Sequence, residues 1–406
     1  MRSSVLLRTV VALSLLGLAG SAMATQWDMT PGVTDVSHAV YGLHRTVFLI
    51  CCVIGVFVFG AMFWTILFHR KSQGAQAAHF HESTRVEILW TILPFIILIT
   101  MAIPATRVLI NMYDTGNADM TLRITGSQWK WNYEYLSYGD NKDVNLSFYS
   151  VLATPSDEYA RQKNSSVVDS VLGKNQPDFS KDPNYLMEVD KPLVIPSGKK
   201  VRFLITSDDV IHAWWVPDFA VKRDAIPGFI NEEWAEIPPG KEGTYVGRCA
   251  ELCGKDHAFM PIVVVVKTQT DFDAWLKAAK IQQAADIAAA ANSATYKFAS
   301  LDEATTFGKT VFEARCAACH QSTGTGLPPM FPALKGSPIA SDKAHKAEHI
   351  QIVQNGKNGR MPAWKGILTP KEMAGVITYE RNAWGNNKGD MVTPKDVLAL
   401  KQAESK

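Results

Sequence analysis

Hydrophobic and polar positions change rhythm several times along the chain. Residues 46–68 are apolar with no charged side chain, enough to cross about 30 Å of hydrocarbon as a helix. A second apolar run, 88–103, is slightly short unless its flanks extend it. Its Pro94 is tolerable where neighbouring groups take up the freed backbone carbonyl. Two transmembrane helices are therefore expected at about 45–68 and 86–107, as a hairpin. Arg70, Lys71 and Arg85 lie between them, so the short connection is expected on the cytoplasmic side. From 119 to 267 the pattern shifts to short alternating or β-branched runs, such as 120–125, 200–206 and 261–266. Gly, Pro, Asp and Asn separate them, which predicts an all-β sandwich or barrel. Residues 272–291 are Ala-rich with few breakers and predict a helical linker. Helical periodicity returns at 305–315 and 371–383, followed by a polar, charged tail.

Within the β region, Trp129, Trp131, Tyr133 and Tyr135 alternate. A strand would place all four on one face, and core packing is the ordinary role for such a set. Residues 156–190 are polar and read as an insertion with no chemistry of their own. At the N-terminus, Arg2 and Arg8 precede an apolar stretch at 10–19 and the triplet Ala22-Met23-Ala24. That is a secretory signal with cleavage near Thr25; an uncleaved anchor is the alternative. The expected divisions are a signal peptide (1–24) and an N-terminal segment with the hairpin (25–112). A β domain (113–268), a helical linker (269–299), an all-α domain (300–390) and a polar tail (391–406) follow.

A chain of 406 residues exceeds one core and fits two to three domains. The net charge of +2, with acids and bases interspersed, argues against a nucleic-acid partner. The cysteines fall in three adjacent pairs. Cys51 and Cys52 lie in the first apolar run and read as small apolar residues.

Cys249 and Cys253 belong to Cys249-Ala250-Glu251-Leu252-Cys253-Gly254-Lys255-Asp256-His257-Ala258-Phe259-Met260. Thiolate and thioether are soft ligands and imidazole suits copper. Two sulfurs can bridge two copper ions, each then needing one imidazole and one weak ligand. His257 and Met260 are local; His212 is the best second imidazole, and the Glu251 carbonyl can serve as the second weak ligand. A structural disulfide and a Cys2His2 zinc site are the competing readings, and neither uses Met260.

Cys316-Ala317-Ala318-Cys319-His320 is a C-x-x-C-H sequence, the attachment signature of haem c. Cys316 and Cys319 would take the vinyl groups and His320 the iron. A redox or zinc C-x-x-C pair is the alternative. Met361, before the second helical stretch, is the favoured sixth ligand, and Met330 is the other.

The pattern C-x-E-x-C-x-x-x-H-x-x-M, with His212-Ala213-Trp214-Trp215-Val216-Pro217 upstream, resembles subunit II of haem-copper cytochrome c oxidases. The C-terminal unit is similar to small class I cytochromes c. The resemblance implies a cupredoxin-like copper domain and a binuclear copper site. Its ligands would be His212, Cys249, Glu251 through its carbonyl, Cys253, His257 and Met260. It singles out Trp129 as an exposed side chain through which electrons enter, although Lys130 replaces the aromatic residue usual beside it. It gives Glu87 a place at the entrance of a proton path, where the bland alternative is a carboxylate favoured in a helix's first turn. It implies a Mg or Mn ion held partly by the Glu251 carboxylate, and assigns Arg223 and Asp224 a weak interface role. The chain would then be the part of a cytochrome-c oxidase where electrons enter through its own haem c. Oxygen reduction to water, coupled to proton translocation, would occur in subunit I, with subunit III a further partner, in the lipid of a bacterial inner membrane. The copper and haem domains would lie on its periplasmic face, and an external cytochrome c or other donor would supply electrons. A nitrous oxide reductase-like electron-transfer unit and a copper-delivery protein are the competitors. The hairpin with Glu87 opposes the first. The haem motif and the full ligand set oppose the second.

Overall fold

The computed structural model describes residues 29–76, 82–153, 185–326, 328, 331–357, 361–386 and 389–403. The signal-peptide expectation, most of the 156–190 insertion and Met330 lie outside these residues. The chain divides into two units, Met1–Leu109 and Ile110–Lys406.

In the first unit, helix α1 covers Asp35–Phe68 and helix α2 begins at Thr84, running to Met112 in the second. α1 starts about ten residues before the apolar run. Thr34 caps it with a reciprocal capping box to Ser37, which stabilises the polar first turns that hydrophobicity alone does not signal. Pro94 and Pro104 both lie inside α2. Both helices are long and apolar enough to cross a membrane, and side chains such as Val56 and Phe57 point outward, more than 70% exposed. A wholly apolar, outward-facing helix belongs in lipid.

The second unit opens with two five-stranded sheets. One has the order β3-β2-β1-β5-β8, from β1 (Met120–Ser127), β2 (Lys130–Tyr138), β3 (Leu146–Ser150), β5 (Lys200–Ser207) and β8 (Asn231–Glu236). The other has the order β4-β10-β9-β6-β7, from β4 (Leu193–Pro196), β6 (His212–Val216), β7 (Val221–Ala225), β9 (Gly243–Cys249) and β10 (Pro261–Lys267). β1 pairs in parallel with β5, and β10 with β4; the other pairs are antiparallel. The facing sides bury Leu122, Ile124, Phe203, Ile205, Trp214, Ile262 and Val264. This is the expected cupredoxin-like sandwich. Trp131, Tyr133 and Tyr135 share its core, fully buried. Trp129 does not join them on the strand. Ser127 pairs with Lys130, so Gln128 and Trp129 form the two-residue turn between β1 and β2. The turn reverses the chain and takes Trp129 out of the alternation.

Helix α3 (Gln269–Thr295) is the Ala-rich segment, capped by Thr268. It does more than link. Phe272 is fully buried, 5.1 Å from the Tyr138 ring, and Trp275 lies 5.5 Å from Tyr135. Farther along, Gln283 accepts from the Ser147 amide, and near its end Ser293 accepts from the Lys371 amide.

The all-α domain has helices α4 (Leu301–Arg315), α5 (Ala317–His320), α6 (Pro338–Ser341), α7 (Lys346–Asn355), α8 (Pro370–Asn382) and α9 (Pro394–Ala403). α4 and α8 cross at Gly308 and Gly375; a Cβ on Gly308 would sit 2.0 Å from the Gly375 carbonyl oxygen. Only glycine permits so close a crossing. The tail is not a separate polar segment. Val392 and Val397 enter the core with Val376 and Ile377, Asp396 pairs with Lys346 at 2.9 Å, and Gln354 donates to the Val397 carbonyl. One buried valine in the helix and one just before it suffice to seat this short helix, too weak a periodicity to stand out in a charged sequence.

Candidate metal centres

The β6–β9 pairing, which sets Trp214 opposite Cys249, brings His212 at the start of β6 beside the loop between β9 and β10. His212 therefore sits at a strand end, not in a free loop. Gly126 makes room for its ring, since a Cβ there would lie 2.9 Å from the His212 Cδ2. The ligand atoms then form a chain. His212 Nδ1 is 4.0 Å from the Cys249 sulfur, and the Cys249 and Cys253 sulfurs are 3.8 Å apart. The Cys253 sulfur is 3.6 Å from both His257 Nδ1 and the Met260 sulfur, and the Glu251 carbonyl is 3.4 Å from the Cys249 sulfur.

Both cysteines are free and buried, and their separation far exceeds the ~2.05 Å of a disulfide. Two central thiols are flanked on each side by one imidazole and one weak ligand, so the donor set fits two soft metal ions sharing the sulfurs. Zinc in a closed Cys2His2 site would leave both the thioether and the carbonyl idle.

The electrostatics suit thiolate ligation. The hydrogen bond with Cys253 draws the Cys249 thiol down to about 3, opposed by burial and helped by His212; the same contact pushes Cys253 up. Burial lowers the His212 imidazole, yet its contacts with Asp209 and Cys249 outweigh this and raise it. His212 Nε2 lies 2.9 Å from Asp209 Oδ1, so Asp209 fixes the tautomer that leaves Nδ1 facing the sulfurs. Sequence reading missed Asp209; the acid three residues before the histidine was the signal available.

Trp129 is only 8% exposed, which corrects the expectation of an exposed ring. Its indole donates to the Cys253 carbonyl at 3.2 Å, and the Gln128 side chain donates to the same oxygen. The hairpin turn thus touches the metal loop directly. The Lys255 ammonium covers its ring at 5.4 Å. The Glu251 side chain is exposed, and Leu252, between the two cysteines, is 84% exposed. Glu87 lies in the first turn of α2, where its carboxylate accepts from the Ser83 amide at 3.4 Å. Arg223 pairs with Glu233 at 3.6 Å and stacks on Tyr113.

In the helical domain, α4 leads straight into the C-x-x-C-H motif on α5. Cys316 joins the hydrophobic core, and full burial pushes its thiol well up. His320 is buried, and burial lowers its imidazole, keeping it neutral. Its Nδ1 lies 3.0 Å from the Pro332 carbonyl and donates to it, which leaves Nε2 as the free lone pair. Met361, half-buried against that core, is held in a short loop by mutual backbone hydrogen bonds with Lys357. The buried side-chain nitrogens Gln321 Nε2 and His349 Nδ1 have no hydrogen-bond partner among the described residues. A neutral histidine with Nε2 free, two thiols beside it in the sequence, an apolar surround and the unpartnered Gln321 amide next to His320 together fit a polar-edged apolar cofactor such as haem.

The periplasmic domain family of cytochrome c oxidase subunit II matches residues 120–267, and its transmembrane domain family matches 22–108. The family of cbb3-type cytochrome c oxidase subunit III matches 303–379. A probable cytochrome c oxidase subunit 2 from Rickettsia bellii (strain RML369-C) is 32% identical over 276 residues, covering 68% of this chain and 92% of that one. The one from Rickettsia prowazekii (strain Madrid E) is 35% identical over 258 residues, covering 64% and 74%. The periplasmic domain of subunit II of cytochrome oxidase (CoxB) of Bradyrhizobium japonicum is 38% identical, with a TM-score of 0.32, covering 41% of this chain and 98% of that one. With the two apolar helices, the metal loop and the helical domain each matched in turn, this chain belongs to the cytochrome c oxidase subunit 2 family, carries a cytochrome c domain at its C-terminus, and is a component of an oxidoreductase complex.

Proposed function

We propose that this chain admits electrons to a terminal oxidase through its own haem c and passes them by a binuclear copper centre to subunit I. When bound, the haem and the two copper ions supply one-electron chemistry at low reorganisation cost, and oxygen is reduced to water in subunit I. The observation that carries the reading is the unbroken chain of donor atoms from His212 through Cys249 and Cys253 to His257 and Met260.

The residues divide the work. Cys249 and Cys253 would hold the copper ions together with His212 and His257, and Met260 and the Glu251 carbonyl would complete the donor set with weaker ligands. Asp209 orients His212. Cys316 and Cys319 would attach the haem and His320 and Met361 would hold its iron, while the Pro332 carbonyl keeps the His320 tautomer. Trp129, hydrogen-bonded to the carbonyl of Cys253, conducts between the two sites. The exposed Glu251 and Leu252 suit a covered face toward subunit I, and the Glu251 carboxylate shares a Mg or Mn ion there only with ligands from that partner, since one carboxylate is too few. An external cytochrome c or other carrier reduces the haem from the periplasmic side of the inner membrane, and subunit III completes the complex.

The test is electron paramagnetic resonance of the chain loaded with copper and haem. One unpaired electron split by two copper nuclei is expected; a single-copper pattern at full metal content sinks the reading. Glu87 is proposed to open a proton path on the cytoplasmic side. Glu87→Ala should slow proton uptake by the assembled oxidase, and unchanged turnover and pumping would leave it with only its contact to the Ser83 amide.

A further inference from the structure

The resemblance around Trp129 leads one to expect an aromatic residue where this chain has Lys130, and the structure gives the lysine a use. Its backbone starts β2 next to Trp129, yet the residue is 5% exposed and its side chain reaches from the β domain across to the helical domain. The ammonium donates to the carbonyl of Ala363 in the helical domain at 2.8 Å. Ala363 lies two residues after Met361, in the loop that presents that methionine. The same ammonium stands 5.4 Å over the Tyr149 ring of β3. The loop's next turn rests on that ring, since a Cβ at Gly366 would sit 3.0 Å from Tyr149 Cε2. A second lysine works in the opposite sense. Lys255, from the metal loop, reaches 4.2 Å over Phe331 and 4.0 Å from the Cys319 sulfur while covering Trp129.

We propose that Lys130 is a positioning residue for electron transfer within the chain. It clasps the loop carrying Met361 onto the hairpin turn carrying Trp129, so that the chain's own helical domain occupies the face where a separate carrier would dock. An aromatic side chain at this position offers a surface; an ammonium offers a directed bond to a neighbour's carbonyl. Such a bond from a charged donor is among the stronger kinds. Asp208 and Asp209 on the β domain face the same ammonium. Their pull partly offsets the burial that brings Lys130 down to about 8, so it stays mostly charged at neutral pH. Lys130 touches no reacting atom, and its effect must come through placement.

The inference rests on the function proposed above, and the experiment separates the two. In the full chain loaded with copper and haem, haem-to-copper transfer is followed after rapid reduction of the haem. Lys130→Met should slow it about tenfold, the equilibrium factor for losing one bond from a charged donor. The potentials and spectra of both centres should stay unchanged, and Lys130→Arg should recover much of the rate. An unchanged rate in Lys130→Met overturns the clasp. A second readout uses the unaltered, haem-loaded chain and follows no electron: acylation of lysines mapped by mass spectrometry. Lys130 should react far more slowly than Lys199 or Lys309, whose side chains are 37% and 57% exposed. Equal reactivity overturns the clasp. A wild-type chain without a two-copper signal would remove the proposed function, while the acylation pattern would still decide the clasp.

Discussion

Cys253→Ser will leave the chain unable to hold two copper ions. Cys253 is the junction of the metal loop: its sulfur lies within 3.6–3.8 Å of His257, Met260 and Cys249. Serine keeps the size but replaces a soft, ionisable sulfur with a hard hydroxyl that copper ranks far lower. His257 and Met260 then face no thiolate, and only Cys249, His212 and the Glu251 carbonyl remain together. The expected result is a fall from two copper ions to at most one per chain, with the two-nucleus hyperfine pattern gone. Oxidase turnover should drop by more than the ~10–100-fold that loss of an outer partner costs a metal site. Copper content and paramagnetic resonance measured together check this, and two retained coppers with a shared electron would refute the bridging role.

Met361→Ala will remove the iron–sulfur charge-transfer band of the oxidised haem and lower its potential, because a thioether opposite histidine is what keeps such a haem high. The loop is built to present this side chain. Lys357 and Met361 exchange backbone hydrogen bonds, and Gly356 before them has φ 75°, in the left-handed region that closes the turn. The side chain is half-buried, so the packing loss should lie near the lower end of the ~2–5 kcal/mol of a Met→Ala truncation. The domain should remain folded and keep its haem through Cys316 and Cys319. Optical spectra and a redox titration decide the matter; a band that survives assigns the ligand to Met330.

The parts of this chain that sequence exposes are those whose chemistry is written in adjacent positions. The metal loop and the C-x-x-C-H motif concentrate their donors within a dozen residues or fewer, so residue type and spacing suffice. The apolar helices and the alternating strands are legible because one periodicity runs through each. Trp129 misled because a two-residue turn keeps the alternation of the letters while reversing the chain beneath them. The start of α1 and the last helix were blurred, since caps and two buried valines leave little trace in hydrophobicity. Asp209 and Lys130 were least legible. Each acts on a partner fixed only by the fold: Asp209 across a bend to His212, Lys130 across a domain boundary to a carbonyl, which no sequence pattern marks.

Helix α3 is about 40 Å long at 1.5 Å per residue over its 27 residues, and it is fastened at its start, middle and end. Both domains grip it: Tyr138 and Ser147 from one side, Lys371 from the other. A diffusing carrier must find its acceptor at each turnover, at a rate set by concentration and damped by salt. A donor mounted on this strut has instead a fixed effective concentration, the limit in which linker search disappears. On the route proposed above, dilution would leave that step untouched and ionic strength would barely alter it, so sensitivity to both would be confined to the outermost encounter, where an external donor would meet the haem.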